Sequence, residues 1–232
     1  MKRKLVLFDI DGTLLLTAGA GRRAITQALA EQLGAEPDFS LIHFDGKTDP
    51  QIIEELLLAA GATSEPAPGQ IDSLCTRYLE LLEGELDLTR GQTQLMPGVI
   101  ELLERLDIDS SVVLGLLTGN LAHGADLKLR SANLDPSRFA VGAFGSDSAR
   151  RPDLPAIASR RAEPLFGRPP HGEAVVIIGD TPADIKCGAG IGARAIAVAT
   201  GSFSLDELSA QRPYAAFPDL SATDRVLDAI LG

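Results

Sequence analysis

A short apolar run that ends in closely spaced carboxylates constrains the fold of this chain more than any other feature. Residues 5–8 are continuously apolar and stop at a turn signal, the pattern of a strand buried inside a parallel sheet. Asp9 and Asp11 follow at once. Gly12 permits a sharp turn there, and Thr13 can offer a hydroxyl and an amide to an anion. Because open α/β sheets bind ligands at the carboxyl ends of their strands, the segment predicts a ligand site.

The composition limits the partners of such a site. The chain has 232 residues, 45% of them hydrophobic, which is enough for one large domain or for a core with an insert. Its net charge is −11 without a long basic run, which argues against nucleic acid or an anionic membrane as partner. An anionic substrate would therefore need local positive charge or a metal ion.

The cellular compartment is predicted from the cysteines and the first residues. Cys75 and Cys187 lie far apart without the spacing of metal ligands, which favours a reducing compartment. Residues 1–4 are basic, but too few apolar residues follow for a signal peptide, and no stretch approaches the roughly 18 apolar residues of a membrane span. We therefore expect a cytoplasmic protein.

Strand and helix patterns alternate along most of the chain. Buried strands are predicted at 111–117, 139–144, 174–178 and 195–199. Amphipathic helices are predicted at 99–106, 125–132, 154–165, 184–191 and 224–231. Such alternation implies parallel pairing through right-handed crossovers. The fold class predicted is α/β, a doubly wound, Rossmann-like parallel sheet.

Residues 17–94, hereafter the insert, do not follow this alternation. They carry helical patterns at 22–33, 51–60 and 71–83, with no convincing strand between them. Thr48 and Pro50 form a good helix start, and Gly61 a good stop. We therefore predict a small helical domain inserted after the first strand of a core made of residues 1–16 and 95–232.

Further polar groups follow other predicted strands. Each group taken alone is equally typical of a turn, a helix cap or solvated surface charge. In a doubly wound sheet, however, all these strand ends meet at one edge. The groups are Thr118, Gly119 and Asn120 after 111–117, Asp180 and Asp184 after 174–178, and Arg150 and Arg151 ahead of the helix at 154–165.

The ordered set resembles the four motifs of the haloacid dehalogenase superfamily. The matching features are residues 9–14, Thr118 after a strand, a basic residue before a helix, and residues 179–184. The insert is similar to the helical C1-type cap of the superfamily's phosphoglycolate-phosphatase-like and phosphoglucomutase-like branch. The resemblance implies a magnesium-dependent phosphoryl-transfer enzyme, most often a phosphatase of small phosphorylated metabolites.

Phosphate-ester chemistry assigns a role to each matching residue. Asp9 would attack phosphorus and form an aspartyl-phosphate, and Asp11 would protonate the leaving alkoxide and then deprotonate the attacking water. Thr118 would donate a hydrogen bond to a non-bridging phosphate oxygen. We further expect substrate contacts from the polar groups beside these residues, namely Gly12, Thr13, Gly119 and Asn120.

Gathering several carboxylates with a phosphate in one cleft requires a cation. Two unit charges about 4 Å apart repel by roughly 4 kcal/mol at an effective dielectric constant of 20. An oxygen-rich site without His or Cys suits Mg²⁺. By the resemblance, its ligands would be the carboxylates of Asp9 and Asp180 and the backbone carbonyl of Asp11, with Asp184 close behind or sharing the role.

Basic residues occur at two places where an anionic substrate could be met. The superfamily usually has lysine at its third motif, whereas this chain offers two arginines. The spacing to the following helix favours Arg151, with Arg150 as the alternative. Lys47, in a polar loop that leads into an insert helix, could meet a second anionic group of the substrate, or could simply be exposed.

Rival functions are ranked by the same residues. Asp11 argues against a hydrolytic dehalogenase, which generally lacks the second aspartate. A sugar-phosphate mutase uses the same aspartate pair, and a phosphonate hydrolase would want an insert lysine such as Lys47 to form a Schiff base. The alternative from another class is a non-catalytic regulatory or binding protein on the same fold. Monomer and homodimer stay equally open, as does the identity of the phosphorylated substrate.

Overall fold

The protein is described by a computed structural model covering residues 3–34, 42–60 and 66–232. Its strands are β1 (Lys4–Phe8), β2 (Leu15–Leu16), β3 (Gln94–Leu95), β4 (Val112–Leu117), β5 (Val141–Ala143), β6 (Val175–Gly179), β7 (Arg194–Val198) and β8 (Ala215–Phe217). Six of them form one parallel sheet in the order β5-β4-β1-β6-β7-β8. Every strand predicted for the core lies in this sheet.

Helices cover both faces of the sheet and build the insert. They are α1 (Ala20–Leu33), α2 (Asp49–Ala59), α3 (Gln70–Leu88), α4 (Val99–Asp107), α5 (Ala122–Ser131), α6 (Leu154–Phe166), α7 (Pro182–Cys187), α8 (Leu205–Ala210) and α9 (Thr223–Leu231). The predicted doubly wound α/β class is therefore confirmed. None of the helices in the described ranges is both long enough and apolar enough to cross a membrane.

The central position of β1 in the sheet explains the apolar run at residues 5–8. Val6 and Phe8 pack into the apolar cluster on one face of the sheet, and Leu5 and Leu7 pack into the cluster on the other face. β1 pairs with β4 on one side and β6 on the other, so its residues are covered in every direction. A strand in this position has no polar face, which is why its sequence shows no alternation.

Three local features differ from the sequence-based expectations. The helix predicted at 184–191 is split into α7 and a 3₁₀ turn at Gly188–Ile191, because glycines weaken a helix interior. β8 and α8 were not predicted, since each is too short to show a periodic pattern. The pair β2–β3 was also missed, because each strand has only two residues.

The insert has an apolar core of its own. α1, α2 and α3 bury a cluster that includes Ile25, Leu56, Tyr78 and Leu82. α2 begins as predicted, since the Thr48 side chain accepts a hydrogen bond from Gln51 N at 3.3 Å. Gly61, the predicted helix stop, lies outside the described residues. The antiparallel β2–β3 pair lies where the predicted boundaries of the insert fall, and those boundaries stay a prediction.

Candidate active site

The predicted catalytic groups meet at one edge of the sheet. Asp9, Thr118 and Asp180 follow the neighbouring strands β1, β4 and β6, and all three side chains are buried. They face a cavity of about 230 Å³ between core and insert. Core residues that line it include Asp9, Asp11, Thr118, Gly119, Asn120, Lys128, Arg151 and Asp180, and insert residues include Arg22, Phe44, Lys47, Asp49 and Tyr78.

Asp9 is held by the strand next to its own. Its backbone N donates to the carbonyl of Ile178 at 2.9 Å, which extends the β1–β6 ladder by one residue. Burial raises the pKa of Asp9 to about 6, with Arg151 opposing the shift and Asp184 adding to it. The carboxylate form therefore still predominates at neutral pH.

Arg151 provides the cation beside Asp9. It begins a short 3₁₀ turn ahead of α6, and its Nη2 lies 3.1 Å from Asp9 Oδ2 and also bonds Asp184 Oδ1. Burial disfavours its charged form, yet Asp184 and Asp9 outweigh this and raise the pKa of Arg151. Arg150, the alternative left open by the sequence, is exposed and does not line the cavity in the described part of the chain.

Three buried carboxylates form a group that could hold a metal ion. Oxygen atoms of Asp9, Asp180 and Asp184 lie within 4.8 Å of one another. Burial, with the charges of Asp184 and Asp9, raises the pKa of Asp180 well above its ordinary value. A donor set made only of carboxylate oxygens suits a hard divalent cation, whose charge would relieve this repulsion. The residues present thus fit the metal site implied by the sequence.

Gly12 and Thr13 shape this group rather than line the cavity. Gly12 has φ +79°, and a Cβ there would come within 2.4 Å of Asp180 Oδ2, so only glycine fits. The Thr13 hydroxyl donates to Asp180 Oδ1 at 3.0 Å, and its amide donates to Ile10 O at 3.2 Å. Both donors of Thr13 are therefore engaged inside the protein, which differs from the expected contact with substrate.

The segment after β4 brings the core against the insert. Asn120 Nδ2 donates to Thr118 Oγ1 at 2.7 Å, which orients that hydroxyl at the cavity. A Cβ on Gly119 would lie 2.0 Å from the carbonyl oxygen of Lys47, so a side chain there would keep the two loops apart. The Gly119 carbonyl also accepts from Asp49 N at 2.8 Å.

Asp11 has a buried partner that the sequence reading did not single out. Lys128 Nζ donates to both carboxylate oxygens of Asp11, at 2.8 and 2.7 Å, and Asn120 Nδ2 donates to one of them at 2.7 Å. Lys128 lies on the buried face of α5 with Ala125 and Leu129. A lysine on the apolar face of a predicted helix was the signal that could have revealed it.

Asp49, which the sequence indicates only as part of a helix start, is buried at the junction between insert and core. Its Oδ2 accepts from Leu121 N at 2.9 Å. Burial raises the pKa of Asp49 to about 6, with the nearby Lys128 opposing the shift. The insert thus contributes a carboxylate to the surroundings of Lys128.

The insert side of the cavity also carries cations. Lys47 Nζ is paired with Glu55 while lining the cavity, so it is neither free nor fully exposed. The Arg22 guanidinium lies 4.7 Å from the centroid of the Phe44 ring. Lys47 and Arg22 are thus two cationic insert residues that line the cavity.

Fold and site define a hydrolase of the haloacid dehalogenase type. Residues 6–198 match the model of haloacid dehalogenase-like hydrolases, and the chain belongs to that family. The family, the fold class and the hydrolase class expected from the motifs are thereby confirmed.

Individual relatives share only about a fifth to a quarter of their residues with this chain. The chain is 26% identical over 229 residues to Protein CbbY of Rhodobacter capsulatus, covering 96% of each chain. A mutant CbbY of Rhodobacter sphaeroides, solved in complex with xylulose-(1,5)bisphosphate, superposes with a TM-score of 0.74 at 22% identity, covering 94% of this chain and 95% of that one. A predicted phosphoglycolate phosphatase of Haemophilus somnus superposes with a TM-score of 0.72 at 19% identity, covering 98% and 99%.

Proposed function

We propose that the protein is a magnesium-dependent phosphatase that hydrolyses a small phosphorylated metabolite through an aspartyl-phosphate on Asp9. The observation that carries the proposal is the placement of Asp9, which contacts Arg151 and lies beside Asp180 and Asp184 at a cavity between core and insert. Similar structures, one described as a predicted phosphoglycolate phosphatase and one a CbbY solved with xylulose-(1,5)bisphosphate, support a small anionic ester as substrate.

The first half of the reaction uses Asp9 and Asp11. A carboxylate oxygen of Asp9 attacks phosphorus, the bond from phosphorus to the ester oxygen breaks, and Asp11 gives a proton to the departing alkoxide. Arg151, 3.1 Å from Asp9 Oδ2, orients the nucleophile and offers positive charge to the phosphoryl oxygens. Thr118, at the carboxyl end of β4, donates a hydrogen bond to one of those oxygens, and Asn120 supports it because its Nδ2 donates to Thr118 Oγ1 at 2.7 Å.

In the second half, water attacks the phosphorus of the aspartyl-phosphate. Asp11, now a carboxylate, removes a proton from that water, and Asp9 leaves as a free carboxylate. The insert covers the cavity while this happens, and the small volume limits the substrate to a compact molecule.

The metal would be held by the carboxylate group described above. Asp9 and Asp180 would supply carboxylate oxygens and Asp11 its backbone carbonyl, with Asp184 sharing the role. Bound there, Mg²⁺ supplies positive charge that offsets the clustered carboxylates and the incoming phosphate. Thr13 and the turn at Gly12 keep Asp180 in place for this purpose.

The test is phosphate release from a panel of phosphorylated metabolites, with Mg²⁺ and with EDTA, by wild type and Asp9→Asn. We expect magnesium-dependent release that the variant lacks. A phosphorylated product formed without free phosphate would instead indicate a mutase. Absence of any Asp9-dependent turnover across the panel would support the non-catalytic binding protein.

The substrate is proposed to carry a second anionic group. Lys47 and Arg22 are insert residues that line the same cavity as Asp9, Asp11 and Asp180. We expect Lys47→Ala to raise KM for substrates with a second anion and to spare a neutral aryl phosphate. Equal effects on both substrates would remove Lys47 from substrate selection. We expect the enzyme to work as a monomer or homodimer in the cytoplasm.

A further inference from the structure

Lys128 is buried, which is unusual for a lysine. It lies in the middle of α5 with its side chain only 6% exposed, although a lysine normally keeps its ammonium group in water. A buried ammonium is tolerated where partners replace that water. The contacts of Lys128 therefore explain its presence.

Its first partner is Asp11. Nζ contacts both carboxylate oxygens, and Asn120 holds one of the same oxygens from the other side. The Asp11 side chain is otherwise 41% exposed and faces the open part of the cavity. These contacts fix the direction of a carboxylate that solvent alone would leave free to rotate.

The insert supplies the remaining surroundings of Lys128. Asp49, on α2, lies close enough for Lys128 to influence its ionisation, and Asp49 is docked on the core through Leu121 N and Gly119 O. On α1, a Cβ at Gly21 would lie 3.3 Å from Lys128 Nζ, so that helix passes directly over the ammonium group. Lys128 is thus covered by two insert helices.

We propose that Lys128 is the positioning residue of Asp11, and that docking of the insert through Asp49 and Gly21 completes its surroundings. The proposal rests on the phosphatase function above. Proton transfer depends on geometry, and a misplacement of about 1 Å can cost on the order of a hundredfold in rate. Lys128 thereby links the packing of the insert on the core to the orientation of the carboxylate that transfers protons.

The nature of the leaving group makes this testable. An alkoxide needs a proton as it leaves, whereas dinitrophenolate leaves without one. The value of kcat/KM reports the steps up to formation of the aspartyl-phosphate. We expect Lys128→Met to lower kcat/KM for the best alkyl phosphate of the panel by roughly a hundredfold. For dinitrophenyl phosphate we expect a change of less than about threefold, because no proton is required there.

Two comparisons separate positioning from a general defect. Asp11→Asn should show the same dependence on leaving group, and adding Lys128→Met to it should lower kcat/KM no further, since both changes remove one function. Lys186→Met, on the exposed side of α7, is the matched control and should leave both esters unaffected. Equal losses for both esters, or additive losses in the double variant, would overturn the proposal.

Folding is checked independently. Lys128→Arg keeps the charge but moves the donor atoms, so it should fold and show an intermediate, still ester-dependent loss. If Lys128→Met is unfolded, the comparison of esters is made with Lys128→Arg, and an equal loss again counts against the proposal. Wild-type turnover that depends on Asp9 establishes the proposed function separately from either result.

Discussion

The Nη2 atom of Arg151 lies 3.1 Å from Asp9 Oδ2, and the same nitrogen also bonds the carboxylate of Asp184. One buried guanidinium therefore compensates two buried carboxylates. Both contacts come from this single nitrogen, and the buried Arg151 Nε has no hydrogen-bond partner among the described residues. The arginine that replaces the superfamily's usual lysine thus keeps the positive charge between the two carboxylates.

Replacing Arg151 tests that role. Arg151→Met leaves Asp9 and Asp184 buried without their cation, and we expect about 3–5 kcal/mol lower unfolding free energy and almost complete loss of phosphatase activity. Arg151→Lys keeps the charge and should retain part of both. The measurements are urea unfolding and phosphate release. Arg150→Met is the exposed control, and similar losses in it would contradict the assignment.

We predict that the Asp180 carboxylate lowers the stability of the metal-free protein and that a bound cation removes this effect. Without metal, Asp180→Asn removes one of three crowded carboxylates while its side-chain oxygen can still accept from Thr13, so we expect the unfolding midpoint in EDTA to rise by roughly 2–6 °C. Added Mg²⁺ should raise the midpoint of wild type and leave that of the variant unchanged. Thermal unfolding with and without Mg²⁺ checks this, with the exposed Asp206→Asn as control. A magnesium response that persists in Asp180→Asn would exclude Asp180 as a ligand.

Asp49 predicts a pH-dependent stability. Its pKa is about 6 in the folded protein, above the ordinary value of 3.8, because burial penalises the carboxylate. The folded state therefore binds more protons between pH 4 and 6, and stability falls as the pH rises through that window. Asp49→Asn lacks this loss, so its unfolding free energy relative to wild type should increase by up to about 3 kcal/mol from pH 4 to 7.

Urea unfolding at several pH values measures the difference. Lys128, Asp11 and Tyr78 also face Asp49, but they are present in both proteins, so the comparison isolates the one substitution. Asp72→Asn, on the exposed side of α3, is the control. A difference between Asp49→Asn and wild type that stays constant with pH would show that the buried charge has no such cost.

The close contact at Gly119 leaves no room for a side chain between the insert and the core. Its Cβ would lie 2.0 Å from the Lys47 carbonyl oxygen, so Gly119→Ala must push the insert loop away from the core. We expect kcat/KM to fall at least about tenfold, because groups misplaced by about 1 Å react far more slowly. Steady-state kinetics and the radius of gyration from small-angle scattering check this. Gly84→Ala, where a Cβ meets nothing within 4 Å, is the control and should leave kcat/KM unchanged.

The edge of the sheet that carries the candidate site was predictable because the rule behind it is local. Asp9, Thr118 and Asp180 each follow a recognisable buried strand, and parallel strands bring their carboxyl ends to the same edge. The choice between Arg150 and Arg151 was not predictable with the same certainty, since adjacent residues in a turn point in different directions. The structure places Arg151 against Asp9 and leaves Arg150 exposed.

Lys128 and Asp49 could not be recognised as site residues from the sequence, for a related reason. Each had an ordinary local explanation, as one residue of an amphipathic helix or as the start of a capped one. What distinguishes them is their shared neighbourhood, which forms only when the insert packs on the core. Local periodicity carries no information about that packing.

By itself the sequence determined the order of strands and helices, the insert after the first strand and the carboxylates at the strand ends, because all three follow from the spacing of apolar and polar residues. Only the tertiary structure decided which cation meets which carboxylate. Asp11 and Lys128 are 117 residues apart in the chain, and their contact depends on how α5 packs beneath the insert. Pairing between residues so far apart in the sequence is set by the fold as a whole. The fold decides which charges are buried together, and burial decides how strongly they interact.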